Sequence, residues 1–224
     1  MKDTTLAKVD ALVERYPILN NCRSNLLAAV ETIIETYTNG GKVIVCGNGG
    51  SAADSEHIVG ELMKGFVKKR PISDELYAKL QASCPNVADY LKENLQGALP
   101  AVSLMNAVAL NSAFANDQAP DLAMAQQLLG LGKPEDVLIG ISTSGNSANV
   151  VYAVQLAKAL GIKTIGLIGN RQCRMQKLCD VVVSAPEMET YKIQELHLPI
   201  YHMLCIAVEN EFFDKSSEKF GSSE

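Results

Sequence analysis

Five short apolar runs recur along this chain: KVIVC (42–46), PAVSL (100–104), DVLIGIS (136–142), KTIGLIG (163–169) and DVVVSAP (180–186). Each is separated from the next by a segment with helical spacing. An apolar run without polar alternation implies a strand buried on both faces, and that arrangement belongs to parallel sheets covered by helices. The chain is therefore expected to form a three-layer α/β fold: a five-stranded parallel sheet flanked by helices, doubly wound in the flavodoxin manner. Its 224 residues suffice for one well-buried core and are few for two, so residues 1–224 read as a single domain.

The helical segments can be placed by periodicity. Residues 4–16 carry a stripe of Leu6, Val9, Val13 and Tyr16, and Pro17 interrupts it. A second helix over 22–37 stops at Asn39-Gly40-Gly41, completing an N-terminal helical hairpin over 1–40. Further helices are expected over 52–66, up to Phe114, and over 119–130, 147–160 and 190–213. Residues 71–98 break the strand–helix rhythm with two short amphipathic pieces split at Cys84-Pro85, and read as a helical insertion. The polar tail 214–224 reads as frayed.

Several function classes are disfavoured. No run is apolar and long enough to span a membrane, and the N-terminus lacks the apolar core of a secretory signal. The net charge of −5 argues against nonspecific nucleic-acid binding. Six scattered cysteines lack metal-ligand spacing and are expected as free thiols in a reducing cytoplasm. The basic run Lys64, Lys68, Lys69 and Arg70 reads as a solvated helix end, with phosphate steering as the alternative.

Two small-residue turns carry chemistry. Gly47-Asn48-Gly49-Gly50-Ser51 follows the first strand, and Ser142-Thr143-Ser144-Gly145-Asn146-Ser147 follows the third. Ligands of open parallel sheets bind beyond the strands' carboxyl ends. Helix N-termini there offer unpaired N–H groups to an anion. Helix capping by Ser51 and Ser147 is the competing explanation for either turn alone. Gly47-x-Gly49-x-x-Ala52 loosely fits a dinucleotide fingerprint, but the acidic residue expected about 20 positions on is replaced by Lys68-Lys69-Arg70.

His57 and Glu61 lie four apart on the helix that starts at the first turn, hence on one face. The remaining histidines, His197 and His202, fall in the last helix near Gln194 and Glu195. Together GNGGSAADSEHIVGEL, GISTSGNSANV and IQELHLPIYH resemble the phosphoheptose isomerase family of the sugar isomerase (SIS) fold. The resemblance implies interconversion of sedoheptulose 7-phosphate and D-glycero-D-manno-heptose 7-phosphate. It implies substrate contacts from Asn48, Gly49, Gly50, Ser51, Glu61, Asn116, Asp117, Ser142, Thr143, Ser144, Ser147 and Gln194. It also implies a divalent metal, usually zinc, on His57, Glu61, Gln194 and His202, proton transfer by Glu61 and His202, and a cytoplasmic homotetramer. His197 and Glu195 stay structural.

Two departures stand out. The family's arginine shortly after the glutamate is missing, with Lys64 or Arg70 as possible substitutes, and residues 71–98 are inserted. Either leaves room for another sugar-phosphate aldose–ketose isomerase. A non-catalytic member of the fold, binding a sugar phosphate or a replication initiator, is the alternative from another class, and such proteins typically lack the carboxylate that Glu61 supplies. One point comes from helix geometry alone. Gln194 and His202 are eight residues apart, a rise of about 12 Å and a turn of about 80°. Unless Pro199 kinks the helix, one of the two serves a site completed by a neighbouring subunit.

Overall fold

The computed structural model describes residues 1–214; the rest of the expected frayed tail lies outside the described residues. The chain order is α1 (Asp3–Arg15), a 3-10 turn (Pro17–Cys22), α2 (Arg23–Thr38), β1 (Val43–Gly47), α3 (Gly50–Met63), α4 (Asp74–Ser83), α5 (Pro85–Asn94) and β2 (Ala101–Ser103). Then follow α6 (Val108–Asp117), a 3-10 turn (Pro120–Leu122), α7 (Ala123–Leu131), β3 (Val137–Ser142), α8 (Ala148–Ala159), β4 (Lys163–Gly169), α9 (Arg174–Leu178), β5 (Val181–Ala185) and α10 (Thr190–Phe213).

All five strands are parallel, in the order β2-β1-β3-β4-β5. This is the doubly wound order whose switch point lies between β1 and β3. β1 and β3 are buried along their whole length, as their unbroken apolar sequences require. Successive residues of a strand point to opposite faces. Val43, Val45, Val137, Ile139 and Ile141 therefore join a core with α1, α2, α3 and α10. Ile44, Cys46 and Leu138 join a second core with α7, α8 and α9. All six cysteines are free, and burial pushes the Cys46 and Cys205 thiols up to about 12. No described helix is long and apolar enough to cross a membrane.

The structure differs from the sequence reading in instructive places. The helix expected over 52–66 ends at Met63, and Lys64 is extended. The backbone N–H groups of Phe66, Val67 and Lys68 go to the carboxylate of Glu209 instead of to helix carbonyls. The segment 119–130 opens with a 3-10 turn at Pro120 before α7 begins, and α9 was not anticipated. Residues 71–98, read from the sequence as a helical insertion, form a hairpin of α4 and α5, in which Ala88 is the one buried side chain. It is closed at its base by an antiparallel bridge between Pro71 and Gln96. α6 buries none of its side chains, and Val108 is 75% exposed.

Candidate active site

The two glycine- and serine-rich turns meet at the switch point. The first turn is tied to the start of α8, which the second turn opens, by a reciprocal amide pair: Asn48 Nδ2 donates to Asn149 Oδ1 (2.9 Å), and Asn149 Nδ2 donates to Asn48 Oδ1 (2.8 Å). Gly49 and Gly145 adopt φ of +55° and +63°, a left-handed conformation that favours glycine. A side chain at Gly145 would in addition collide with Cys173 Sγ at 2.2 Å. In the second turn Ser142 Oγ lies 3.0 Å from Ser147 Oγ and 3.4 Å from Ser144 Oγ. Neither Ser51 nor Ser147 uses its hydroxyl as a helix cap, so capping does not account for them. Three clustered hydroxyls beside the N-terminus of α8 form a cradle suited to an anion.

The second group of residues lies between α3 and α10. The two helices run side by side in parallel register: Gln194 covers Gly50, and seven residues further along each helix Tyr201 meets His57. His57 Nε2 is 3.2 Å from Glu61 Oε1. Lys64 Nζ is 2.9 Å from Glu61 Oε2, so both carboxylate oxygens are engaged. The His57 and His202 rings meet edge to face at 5.0 Å between centroids. Tyr201 and Phe66 pack on His202 in the same way, at 5.1 and 5.3 Å. His202 Nε2 is buried without a partner among the described residues. Burial, then the neighbouring His57, lowers the His202 pKa against the opposing pull of Glu61, which favours a neutral imidazole able to accept and return a proton. A cleft of about 380 Å³ between α1 and α10 opens beside His202, with Lys8 and Arg15 on its wall.

Sequence reasoning missed two members of this cluster. Tyr201 O–H donates to Asp54 Oδ1 at 3.2 Å, while the phenol oxygen lies 3.1 Å from His57 Nδ1. Burial raises the Asp54 pKa against the lowering effect of this hydrogen bond. Asp54 precedes His57 by three residues, a helical spacing visible in the sequence. Nothing local marks Tyr201, which is 144 positions away.

The expected site residues thus separate into groups. His57, Glu61 and His202 come together. Asn48, Gly49, Gly50, Ser51 and Gln194 gather at the first turn, next to Ser142, Thr143, Ser144 and Ser147 in the second. Gln194 lies about 10 Å from His57 along α3, since seven residues separate Gly50 from His57. α10 continues through Pro199, and with Gln194 over Gly50 and Tyr201 beside His57 the Gln194 amide stays about two turns from His202. Asn116 and Asp117 end α6, exposed and bonded to each other at 2.8 Å, and no hydrogen bond joins them to either group among the described residues.

The basic run needs correction. Arg70 is neither solvated nor free to steer phosphate: its side chain is fully buried against Glu209. Of the two cations considered for the missing arginine, only Lys64 reaches the Glu61 carboxylate. Of the four expected zinc donors, His57, Glu61 and His202 lie together in one chain and Gln194 lies apart from them. The fourth donor is two helical turns away, and no group of three or more His, Cys, Asp or Glu among the described residues is placed to hold a metal ion. His197, expected to be structural, is buried, with Nε2 3.3 Å from the Ile168 carbonyl.

The chain is similar to known proteins over most of its length. Residues 6–92 and 94–169 match the SIS domain family. A phosphoheptose isomerase of a Nitratiruptor species is 38% identical over 190 residues, covering 85% of this chain and 88% of that protein. One from Helicobacter pylori is 36% identical over 198 residues, covering 88% and 90%. The solved phosphoheptose isomerase of Francisella tularensis superposes with a TM-score of 0.72 at 27% identity, covering 94% of this chain and 100% of that one.

Proposed function

The chain belongs to the SIS-domain family of phosphoheptose isomerases, and from that premise we propose that it interconverts sedoheptulose 7-phosphate and D-glycero-D-manno-heptose 7-phosphate in the cytoplasm. The observation that carries this reading is the packing of the His57–Glu61 pair against His202. It provides a carboxylate and an imidazole side by side on two helices. The hydroxyl cradle at the switch point supplies an anion site separate from them.

Aldose–ketose isomerisation removes a proton from one of two adjacent carbons and returns it to the other, through an enediol. In this reading the Glu61 carboxylate takes the carbon-bound proton and gives it back, while His202 moves the proton between the two oxygens. The cradle of Ser142, Ser144 and Ser147, with Thr143, Ser51 and the turn amides, holds the phosphate. Binding energy at that remote end orients the reacting carbons. Asn48, Asn116, Asp117 and Gln194 complete the sugar contacts.

The separation of Gln194 from His57 and His202 supports a site shared between copies of the chain, and the uncovered apolar α6 is consistent with association. A homotetramer is the assembly included in the proposal. A divalent ion, zinc by family resemblance, would require Gln194 from a second copy to complete its donors. The lost family arginine keeps a second reading open, a different phosphorylated ketose with the same chemistry.

The test is turnover of sedoheptulose 7-phosphate by the wild-type protein and by Glu61→Gln. Loss of about 10²–10⁴-fold in kcat, with substrate binding retained, is expected on removing a general base. Undiminished turnover by Glu61→Gln would remove the carboxylate from the mechanism. A wild-type protein active only on a different ketose phosphate would establish the second reading.

A further inference from the structure

Arg70 is a buried charged side chain that the reaction scheme leaves unused. It is fully buried, as is Glu209. Its Nε donates to Glu209 Oε1 at 2.8 Å, its Nη1 to the Leu62 carbonyl at 2.6 Å and its Nη2 to the Glu61 carbonyl at 3.2 Å. The guanidinium lies over the Phe213 ring, 4.9 Å from the centroid. The last carbonyls of a helix have no partner within it, and a cation there also suits the helix dipole. Arg70 therefore closes the end of α3 at the residue that carries the Glu61 carboxylate.

Its other contact reaches α10. Glu209 lies seven residues beyond His202, two turns along and on the same side of the helix. Anchoring the 66–68 loop needs only Glu209, which already accepts three of its N–H groups. What Arg70 adds is a rigid connection from Glu209 to the carbonyls of Glu61 and Leu62. A lysine could not reproduce it, since a single ammonium cannot match the planar fork that serves three acceptors here.

We propose that Arg70, anchored by Glu209, is a positioning residue for the isomerisation: it fixes the end of α3, and with it Glu61, at a set distance from His202 on α10. The proposal rests on the reading of Glu61 and His202 as the proton-moving pair. It differs from a purely structural role in predicting a selective loss in the chemical step.

The test uses the full-length protein carrying Arg70→Lys, with kcat and KM measured on sedoheptulose 7-phosphate alongside a crystal structure of the variant. The expected result is a fall in kcat of about 10–100-fold with KM within about twofold, the scale of loss that follows misplacement by about 1 Å. In a Glu61→Asp background, where the carboxylate is already displaced, the same substitution should cost far less, so the two losses do not multiply. Unchanged kcat, or losses that multiply fully, would overturn the proposal. Should Arg70→Lys fail to fold, Glu209→Gln decides on the same criteria, because its amide oxygen still accepts loop N–H groups. Should the wild type be inactive on this sugar, the functional reading fails. The crystal structure then judges the strut alone: α3 unmoved against α10 refutes it, and a shifted Glu61 upholds it.

Discussion

Gly50→Ala separates the contribution of Gln194 from the stability of the fold. A Cβ at position 50 would lie 2.6 Å from Gln194 Nε2 and 3.3 Å from its Cδ, whereas ordinary contact begins at 3.4 Å. The amide must withdraw by about 0.8 Å or change rotamer, at a cost of about 0.5–1.5 kcal/mol. Against this, alanine is favoured over glycine in a helix by up to about 1 kcal/mol, and Gly50 is the first residue of α3 with φ outside the left-handed region. The two terms nearly cancel, so the melting temperature should move by only a few degrees. Activity should respond differently, because a misplacement near 1 Å of a group that positions the substrate, even one away from the reacting carbons, can cost about 10²-fold. Initial rates on sedoheptulose 7-phosphate should fall by about 10–100-fold. Gly60→Ala is the control, on the same helix with nothing within 4 Å of its added Cβ; it should leave turnover intact. A Gly50→Ala enzyme with wild-type rates would show that Gln194 has no part in the reaction.

Three further outcomes are expected. Burial holds His197 neutral, with its pKa lowered from 6.5 to about 4. The unfolded chain then binds the extra proton first, so stability is full above about pH 6.5 and falls by about 3 kcal/mol as pH drops towards 4; urea midpoints of wild type and His197→Gln that run parallel over this window would contradict it. Glu209→Ala leaves Arg70 buried and unpaired, together with three loop N–H groups, and should cost about 3–5 kcal/mol, read from chemical denaturation; a loss below about 1 kcal/mol would mean the pair is already hydrated. Glu61→Gln and Gln194→Ala chains, each inactive, should recover part of the activity when unfolded and refolded together, because some shared sites receive both intact residues; no recovery in verified mixed oligomers would place each site within one chain.

Much of the architecture was legible because it is written locally. The strands announce themselves as apolar runs with no polar face, which only a sheet covered on both sides explains. Gly49 and Gly145 mark turns that need a left-handed backbone. The eight-residue interval between Gln194 and His202 reads in the sequence as a rise of about 12 Å along one helix, and the two residues lie at different levels of α10. What escaped the sequence depends on partners far apart in it. Lys68-Lys69-Arg70 has the composition of a solvated cluster, and the residue that draws Arg70 inside is 139 positions away. The same pairing explains why α3 stops short of 66, since its loop amides find Glu209 first. Tyr201 looks like one more apolar position of α10 until Asp54 and His57 are seen beside it. Even the meeting of His57 with His202 could be expected only through family resemblance, since spacing alone says nothing about contacts between distant helices.

The α4–α5 hairpin closes on itself at the Pro71–Gln96 bridge and packs mainly against its own two helices. A segment joined to the rest of the chain through so narrow a stem can be shortened at its tip without disturbing the register of the sheet beneath.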